Sequence, residues 1–434
     1  MDAAVFLTAA ALILITLFLA GVPVFLAFLV MNVAGVVMLI GPRGFGLVAN
    51  SMFTTATTGT LTAIALFVLM GEILFRSGAT DVLFKAMDRI IGRVMGRQFV
   101  LAGVLSAIFG ALSGSNMAVS AMMARTIFPG MVARGYDRKL SIGMILGGAS
   151  LAPVIPPSVL VIIIATLANV SVAKLLIAGV VPGLVLAALF IGYTLVRVTL
   201  KPSLAPSETD EPAEADGSAW RALASCLPFL IVVGAIMGLI LGGVATPSES
   251  AATGVVGAML TAAIFRRLSV GMLLDALRAA VLITSMILVI MASSTLFSQL
   301  LAMSGASGAL TSAVSNLGLS PWLMCIVLLG LVFGFCLFVD QVAVMLVIIP
   351  IYQPLVETLN FDPLWFWLLM LLNVTVGGIT PPFGYAMFAF KGAAHGVTMD
   401  ELFDATWPFV GLFLLGMLAV GLIPGLATWL PSLL

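Results

Sequence analysis

The sequence predicts an all-α polytopic membrane protein of two inverted-topology repeats, with about ten transmembrane helices and two re-entrant hairpins. Three observations carry this. Of 434 residues, 62% are hydrophobic and only 8% are charged, against about 25% charged in soluble domains. Apolar runs such as 175–196, LLIAGVVPGLVLAALFIGYTLV, reach the ~20 residues that cross hydrocarbon as a helix. The ~10-residue alternating segments of a membrane β-barrel do not appear. Finally, a double proline inside an apolar segment occurs twice, in GGASLAPVIPPSVLV (147–161) and VTVGGITPPFGYAMF (374–388).

In chain order, the first apolar run, 3–20, follows Asp2 and has no basic segment before it. It is expected to be a retained span rather than a signal peptide. Spans near 4–20, 23–40 and 59–75 lead from an external N-terminus to the cytoplasm, where Lys and Arg concentrate. There lies the basic stretch 76–97, with Arg76, Lys85, Arg89, Arg93 and Arg97, expected as an amphipathic surface helix. The apolar stretch 99–133 is followed by Arg134, Arg138 and Lys139. Basic residues on both sides predict a re-entrant hairpin with its tip at SGSN, 113–116. The segment 140–168 crosses outward, broken at Pro156 and Pro157, and 175–196 returns to Arg197 and Lys201.

An acidic, proline-rich cytoplasmic linker, 201–218 (KPSLAPSETDEPAEADGS), separates an N-terminal repeat, 1–200, from a C-terminal repeat, 219–434. Spans near 222–243, 251–265 and 279–297 follow. Then come a hairpin at 321–354 with its tip at FVDQ, 338–341, a broken span at 363–390, and a last span at 408–430. The repeat rests on landmarks at near-constant offset: Pro23 and Pro247 are 224 positions apart, the double prolines 225, and Pro129 and Pro350 221. Its inversion rests on charge. The counterpart of the basic 76–97 stretch, 298–320, has no Lys or Arg, which places the two on opposite sides, a common transporter design.

Four polar, irregular segments fall at membrane depth, where non-helical backbone is tolerated only inside protein or along a cavity. Interrupted helices at matching places in two halves point to a transport site. In the first hairpin, Ser113, Ser115 and Asn116 offer hard neutral oxygen ligands that suit Na+, with Gly110 and Gly114 allowing close backbone approach. A Ser/Gly helix-packing surface is the alternative. In the second hairpin Asp340 stands beside Gln341 between apolar runs, and an intramembrane carboxylate marks function by default. Its bland reading is a helix cap at a wet tip. The breaks contribute Gly147 and Gly148, and then Gly377, Gly378 and Thr380. Ser150, Pro156, Pro157, Ser158, Asn373, Thr375, Pro381 and Pro382 are candidates to line a substrate cavity, the prolines as scaffolding at the start of a half-helix. For each of these, packing competes with coordination.

Other features weigh less. Glu249 in GGVATPSES (242–250) reads as a helix cap, Lys391 and His395 as interfacial anchors, and Arg125 as a snorkelling or locally paired side chain. The three cysteines, Cys226, Cys325 and Cys336, and the single histidine argue against a disulfide framework or a zinc site. A formal charge of zero suggests no nucleic-acid partner. There is no HExxH motif, paired-aspartate arrangement or GxxxxGK[ST] loop, so neither an enzyme nor an ATPase is expected.

The segments GALSGSNMAVSAM, FPGMVARGYDRKLSIG, APVIPPS, ATPSESAA and PIYQPLVETLNFDPLWFWLLMLLNVTVGGITPPFGYAMFAFKG resemble the large membrane subunit of TRAP (tripartite ATP-independent periplasmic) transporters, the DctM-like family. The resemblance covers essentially the whole chain. It implies an elevator-type, Na+-coupled importer of carboxylates in the bacterial inner membrane, with Na+ as coupling ion and no other cofactor. It implies two partners besides the lipid bilayer: a DctQ-like small membrane subunit, expected as a separate chain, and a DctP-like periplasmic substrate-binding protein. Carried over by motif, it places cation sites at Ser113, Ser115 and Asn116 with Gly147 and Gly148, and at the 338–341 tip, Asp340 included, with Gly377 and Thr380. The wording GFCLFVDQ departs from the family's second hairpin, which leaves open the side chain that completes that site. The basic 76–97 stretch would be an arm holding the scaffold. A stand-alone ion-coupled carrier or antiporter of the same fold is the alternative, and the substrate itself is not readable.

Overall fold

A computed structural model describes residues 3–91, 95–206, 219–337 and 339–434. Most of the acidic linker, part of the basic stretch including Arg93, and Phe338 in the second tip lie outside the described residues. Every regular element among those described is a helix. By length and composition five helices suffice to cross a bilayer: Gly59–Arg76, Val172–Leu200, Val270–Met303, Gln341–Thr358 and Met399–Leu422. Shorter apolar helices of 10–17 residues make up much of the rest.

The helices can be paired in order between the two halves, with Phe128–Ala133 left over. Ala3–Leu19 and Val24–Leu39 are matched in order by Ala219–Leu241 and Pro247–Ile264. The pair Phe45–Ala56 and Gly59–Arg76 is matched by the single helix Val270–Met303, and Ala79–Ile91 by Ala306–Asn316. The hairpin Arg97–Ser113/Asn116–Thr126 is matched by Pro321–Cys336/Gln341–Thr358, and the broken helix Arg138–Ala149/Val159–Leu167 by Pro363–Gly377/Tyr385–Ala393. Val172–Ala178 with Val180–Leu200 is matched by Met399–Leu422.

Several bounds differ from the apolar pattern, for local reasons. The span read at 408–430 begins at Met399, because Thr398 caps it through Glu401 N (3.2 Å) and Asp400 and Glu401 suit a helix N-terminus. It stops at Leu422, just before Pro424. The span read at 279–297 is a 34-residue helix, since Asp275 and Arg278 break apolarity but not helicity. The short 251–265 span is an 18-residue helix starting at Pro247 behind the capping Thr246. The helix Phe45–Ala56 escapes the reading because its threonine-rich end lowers its hydropathy.

Two packing groups emerge. Val24–Leu39, Gly59–Arg76, Pro247–Ile264 and Val270–Met303 pack on one another. The hairpins and broken helices form the other group, with Arg138–Ala149 held between Arg97–Ser113 and Met399–Leu422. The leading halves of the two broken helices are enclosed almost completely, from Leu140 to Ala149 and from Trp365 to Gly377. Helices apolar all round belong in such a place. Small residues bring them close, as is usual between membrane helices. A β-carbon on Gly143 would collide with the Ala405 carbonyl and one on Gly147 would lie 2.6 Å from Phe409 Cδ1. The second arm of each hairpin packs on the trailing half-helix of the other repeat: Asn116–Thr126 on Tyr385–Ala393, and Gln341–Thr358 on Val159–Leu167.

Candidate functional site

The first tip is a tight turn built by Gly114. Its left-handed φ of +63° lets its N–H reach Gly110 O at 2.8 Å and close the arm Arg97–Ser113. Ser115, extended, then caps the second arm by accepting from Ala118 N at 3.3 Å. Ser113 Oγ accepts from Ser115 N at 3.3 Å. Ser113 and Ser115 are half-buried, whereas Asn116 is 1% exposed. Asn116 Nδ2 donates to Tyr385 Oη at 2.9 Å.

The first break lies behind this tip. A β-carbon on Gly110 would sit 2.8 Å from Ala152 Cα, and one on Gly114 3.7 Å from Val159 N. Gly147 faces Phe409, and Gly148 faces Ser106, whose Cβ would lie 2.6 Å from an added methyl. Ser150 Oγ donates to Gly147 O at 2.6 Å and Ser158 Oγ to Pro153 O at 2.7 Å, and Ser158 also caps Val159–Leu167. Pro156 and Pro157 are buried and joined by a cis bond, as are Pro381 and Pro382.

In the second tip Asp340 caps Gln341–Thr358. Its Oδ2 accepts from Val342 N at 3.0 Å and Ala343 N at 3.4 Å. Asp340 itself is exposed. Gln341 is buried, and its Oε1 has no hydrogen-bond partner. In the second break, Thr375 and Thr380 donate to Leu371 O and Val376 O, each at 2.7 Å. Asn373 Nδ2 donates to Leu329 O at 2.8 Å, which fastens the break to the hairpin arm Pro321–Cys336. Gly377 lies against Cys336, and Gly378 against the Tyr385 hydroxyl. Pro381 is buried, whereas Pro382 and Phe383 are exposed.

The structure thus joins the first tip to both breaks and the second tip to the second break. Ser150, Ser158, Thr375 and Thr380 instead spend their single hydroxyl proton on nearby backbone. A hydroxyl that donates once keeps its lone pairs, so the oxygens remain competent ligands. The sequence reading missed Tyr385 and the unpaired Gln341 Oε1. The available signal was position: Tyr385 is one of four tyrosines in the chain and follows the second double proline by three residues.

Asp340 has no ion-pair partner among the described residues. The recorded pairs lie elsewhere: Arg76–Glu72, Arg97–Asp88, Arg138–Glu401 at 2.8 Å and Lys139–Asp404 at 2.7 Å. The last two tie the start of Arg138–Ala149 to Met399–Leu422. The hydrogen bond to Glu401 raises the Arg138 pKa above its ordinary value, and the one to Asp404 does the same for Lys139. No cluster of three His, Cys, Asp or Glu side chains occurs among the described residues. The donor set at the tips is one of hydroxyls, amides and backbone carbonyls with one carboxylate, suited to a hard cation. A separate cavity of about 350 Å³ opens where Gly59–Arg76, Val172–Ala178 and Pro247–Ile264 begin, lined by Thr58, Thr60, Ser171, Thr246 and Ser248 among others. No candidate site residue lines it.

Known proteins share this architecture. The crystal structure of the Alcanivorax borkumensis YdaH transporter, described as having an unusual topology, superposes with a TM-score of 0.61 over 96% of this chain and 98% of that one, at 14% identity. That likeness speaks for the fold alone. In sequence, the chain is 30% identical to the C4-dicarboxylate TRAP transporter large permease protein DctM of Pseudomonas aeruginosa, over 91% of this chain and 92% of that one. It is 27% identical to the ectoine TRAP transporter large permease protein TeaC of Halomonas elongata, over 97% of each. These relatives are membrane permeases, not enzymes. The family model described as tripartite ATP-independent periplasmic transporter, DctM component, matches residues 10–426. With two hairpins, two proline-broken helices and a family match running nearly from end to end, the chain belongs to the DctM family, the large permease component of TRAP transporters.

Proposed function

We propose that this permease imports a small organic acid, driven by a Na+ gradient, across the inner membrane of a bacterium, receiving it from a DctP-like periplasmic binding protein. One observation carries the reading. The first hairpin tip meets both helix breaks, and the second hairpin meets the second break close in sequence to Asp340, an exposed carboxylate with no ion-pair partner among the described residues. Ser113, Ser115 and Asn116 with the Gly147–Gly148 backbone would hold one cation, and Asp340 and Gln341 with Gly377 and Thr380 the other. Asp340 then has two tasks, capping its helix with one oxygen and neutralising a cation with the charge. The acid would bind beside them, along Ser150, Ser158, Asn373, Thr375 and the prolines. Organic-acid cargo is inferred from the C4-dicarboxylate relative. The relatives named as TRAP permeases favour a binding protein and a DctQ-like subunit over a stand-alone carrier.

The two halves, 1–200 and 219–434, are read as inverted repeats. In support, the series of helices recurs, and the basic 76–97 stretch has a counterpart, 298–320, without Lys or Arg. The two packing groups suit an elevator, in which the hairpins and broken helices shift as one body against the other helices.

The test is uptake of labelled succinate, and separately of labelled ectoine, into proteoliposomes holding the permease and its small subunit, with the cognate binding protein outside. Uptake should require an inward Na+ gradient. Equal uptake with choline replacing Na+ would remove the coupling, and Na+-dependent uptake without binding protein would support the stand-alone carrier.

A further inference from the structure

We propose that Tyr385 is the positioning residue that couples the two candidate cation sites, its hydroxyl held by Asn116 of the first tip and packed against Gly378, next to Gly377 of the second site. The inference rests on the cation sites proposed above. Tyr385 opens the trailing half-helix of the second break. Its hydroxyl accepts the Asn116 amide hydrogen at 2.9 Å across 269 positions of chain. A phenol that accepts still has its own proton to donate.

The other side of this hydroxyl leads toward the second hairpin through close contacts. It rests on Gly378, where a β-carbon would collide with it. The neighbouring Gly377 lies against Cys336, the last residue of the second hairpin's first arm. Tyr385 is partly buried, and its hydroxyl is the atom that meets Asn116 and Gly378.

These contacts have a mechanical consequence. Asn116 is the first residue of the second arm, directly after Ser115. Ordering of the Ser113–Asn116 turn around a cation fixes the Asn116 amide, and the amide fixes the phenol dipole. The phenol packs on Gly378, and Gly377 beside it belongs to the proposed second site, so ordering at the first tip reaches the second through this contact. Coupling of this kind acts equally in both directions. A tyrosine that only filled space would be replaced by phenylalanine without effect.

The test is Na+ titration of succinate or ectoine uptake in proteoliposomes holding the complete system, wild type against Tyr385→Phe. Phenylalanine keeps the ring and loses the hydroxyl. The wild type should respond to Na+ sigmoidally. Tyr385→Phe should flatten the curve toward simple saturation and raise the half-maximal Na+ several-fold, within the ~5–150-fold range of allosteric couplings, with the substrate KM at saturating Na+ unchanged. A second measurement needs no transport: Na+-specific thermal stabilisation of purified protein, which should also lose its sigmoid dependence. An unchanged Na+ curve for Tyr385→Phe, with wild type still requiring Na+, overturns the coupling and leaves the cation sites standing. A shift in substrate KM alone would make Tyr385 a substrate contact and also overturn it. Na+-independent uptake and stability in the wild type would remove the cation sites and the coupling together.

Discussion

Asp340 can be made to report its two tasks separately. Its Oδ2 caps Gln341–Thr358 through Val342 N and Ala343 N, and asparagine is as good an N-cap as aspartate. Asp340→Asn therefore keeps the cap and removes the charge, whereas Asp340→Ala removes both at a further cost of about 0.5–2 kcal/mol. No cationic side chain among the described ion pairs offsets the charge, so a bound cation has it to itself. A ligand that binds only the folded state stabilises it by about 1.4 kcal/mol at ten times its Kd and about 2.7 kcal/mol at a hundred times. The assay is thermal unfolding of purified protein in NaCl against choline chloride at equal ionic strength. Wild type should gain a Na+-specific rise in Tm that Asp340→Asn largely loses. In choline, the asparagine variant should match or exceed wild type, because an uncompensated charge within protein is destabilising. The reasoning is refuted by a full Na+ shift in Asp340→Asn, or by equal losses for Asn and Ala in choline.

Three further outcomes are expected. Gly148→Ala places a methyl 2.6 Å from Ser106 Cβ in a fully buried contact and should destabilise by about 1–3 kcal/mol through overpacking. Ser106→Gly should recover much of this in a double-mutant cycle, and Gly192→Ala, with open space around it, should be neutral or gain up to about 1 kcal/mol. In the exposed turn ahead of the 251–265 span, Thr246 donates backbone and side-chain hydrogen bonds that hold the Glu249 carboxyl below its ordinary pKa. Because folding lowers that value, the stabilisation is present above the ordinary carboxyl range and is lost as pH falls through the folded value. Melting curves between pH 6 and pH 3 should lose this component in Glu249→Gln, and an unchanged pH profile would count against the capping box. Single cysteines at the exposed Met95 and Ser320, probed in intact cells with a membrane-impermeant thiol reagent, should be protected and labelled respectively; labelling of both would end the inverted repeat.

Helix-breaking chemistry is local, which is why the tips and breaks were readable. Gly114 turns a chain, Ser115 caps a helix and a double proline interrupts one, whatever surrounds them. Partnerships between distant segments leave no such trace. Nothing near Tyr385 in the chain announces Asn116, and nothing near Asn373 announces the Leu329 carbonyl that it binds. Helix limits were misread for a related reason. Apolarity tracks the hydrocarbon, whereas a helix ends at its caps, so Val270–Met303 and Met399–Leu422 run well past their apolar windows on one side. Asp340 shows where two sequence readings were wrongly opposed. A capping carboxylate uses one oxygen on backbone N–H groups and still carries its whole charge.

The two tips are equivalent in position but not in chemistry. Ser115 and Asp340 stand 225 positions apart, and each caps the second arm of its hairpin. Asn116 and Gln341 follow them as the first helical residues. One tip is thus neutral and the other anionic. On the proposed reading, a cation at each tip leaves the first site positive and the second balanced. The remaining positive charge is what a carboxylate cargo would neutralise, and moving an uncompensated charge through hydrocarbon depth is costly. A monovalent acid with two cations would therefore make the loaded sites electrically neutral, Asp340 included, while the two cations alone or the acid alone would leave them charged. Counting only the tips and their ligands, the empty sites hold the single negative charge of Asp340, which complete loading or a single bound cation cancels. That last case is the leak the design must avoid, and a coupling that makes cation binding at one tip depend on the other, through Asn116 and Tyr385, is the arrangement that would suppress it.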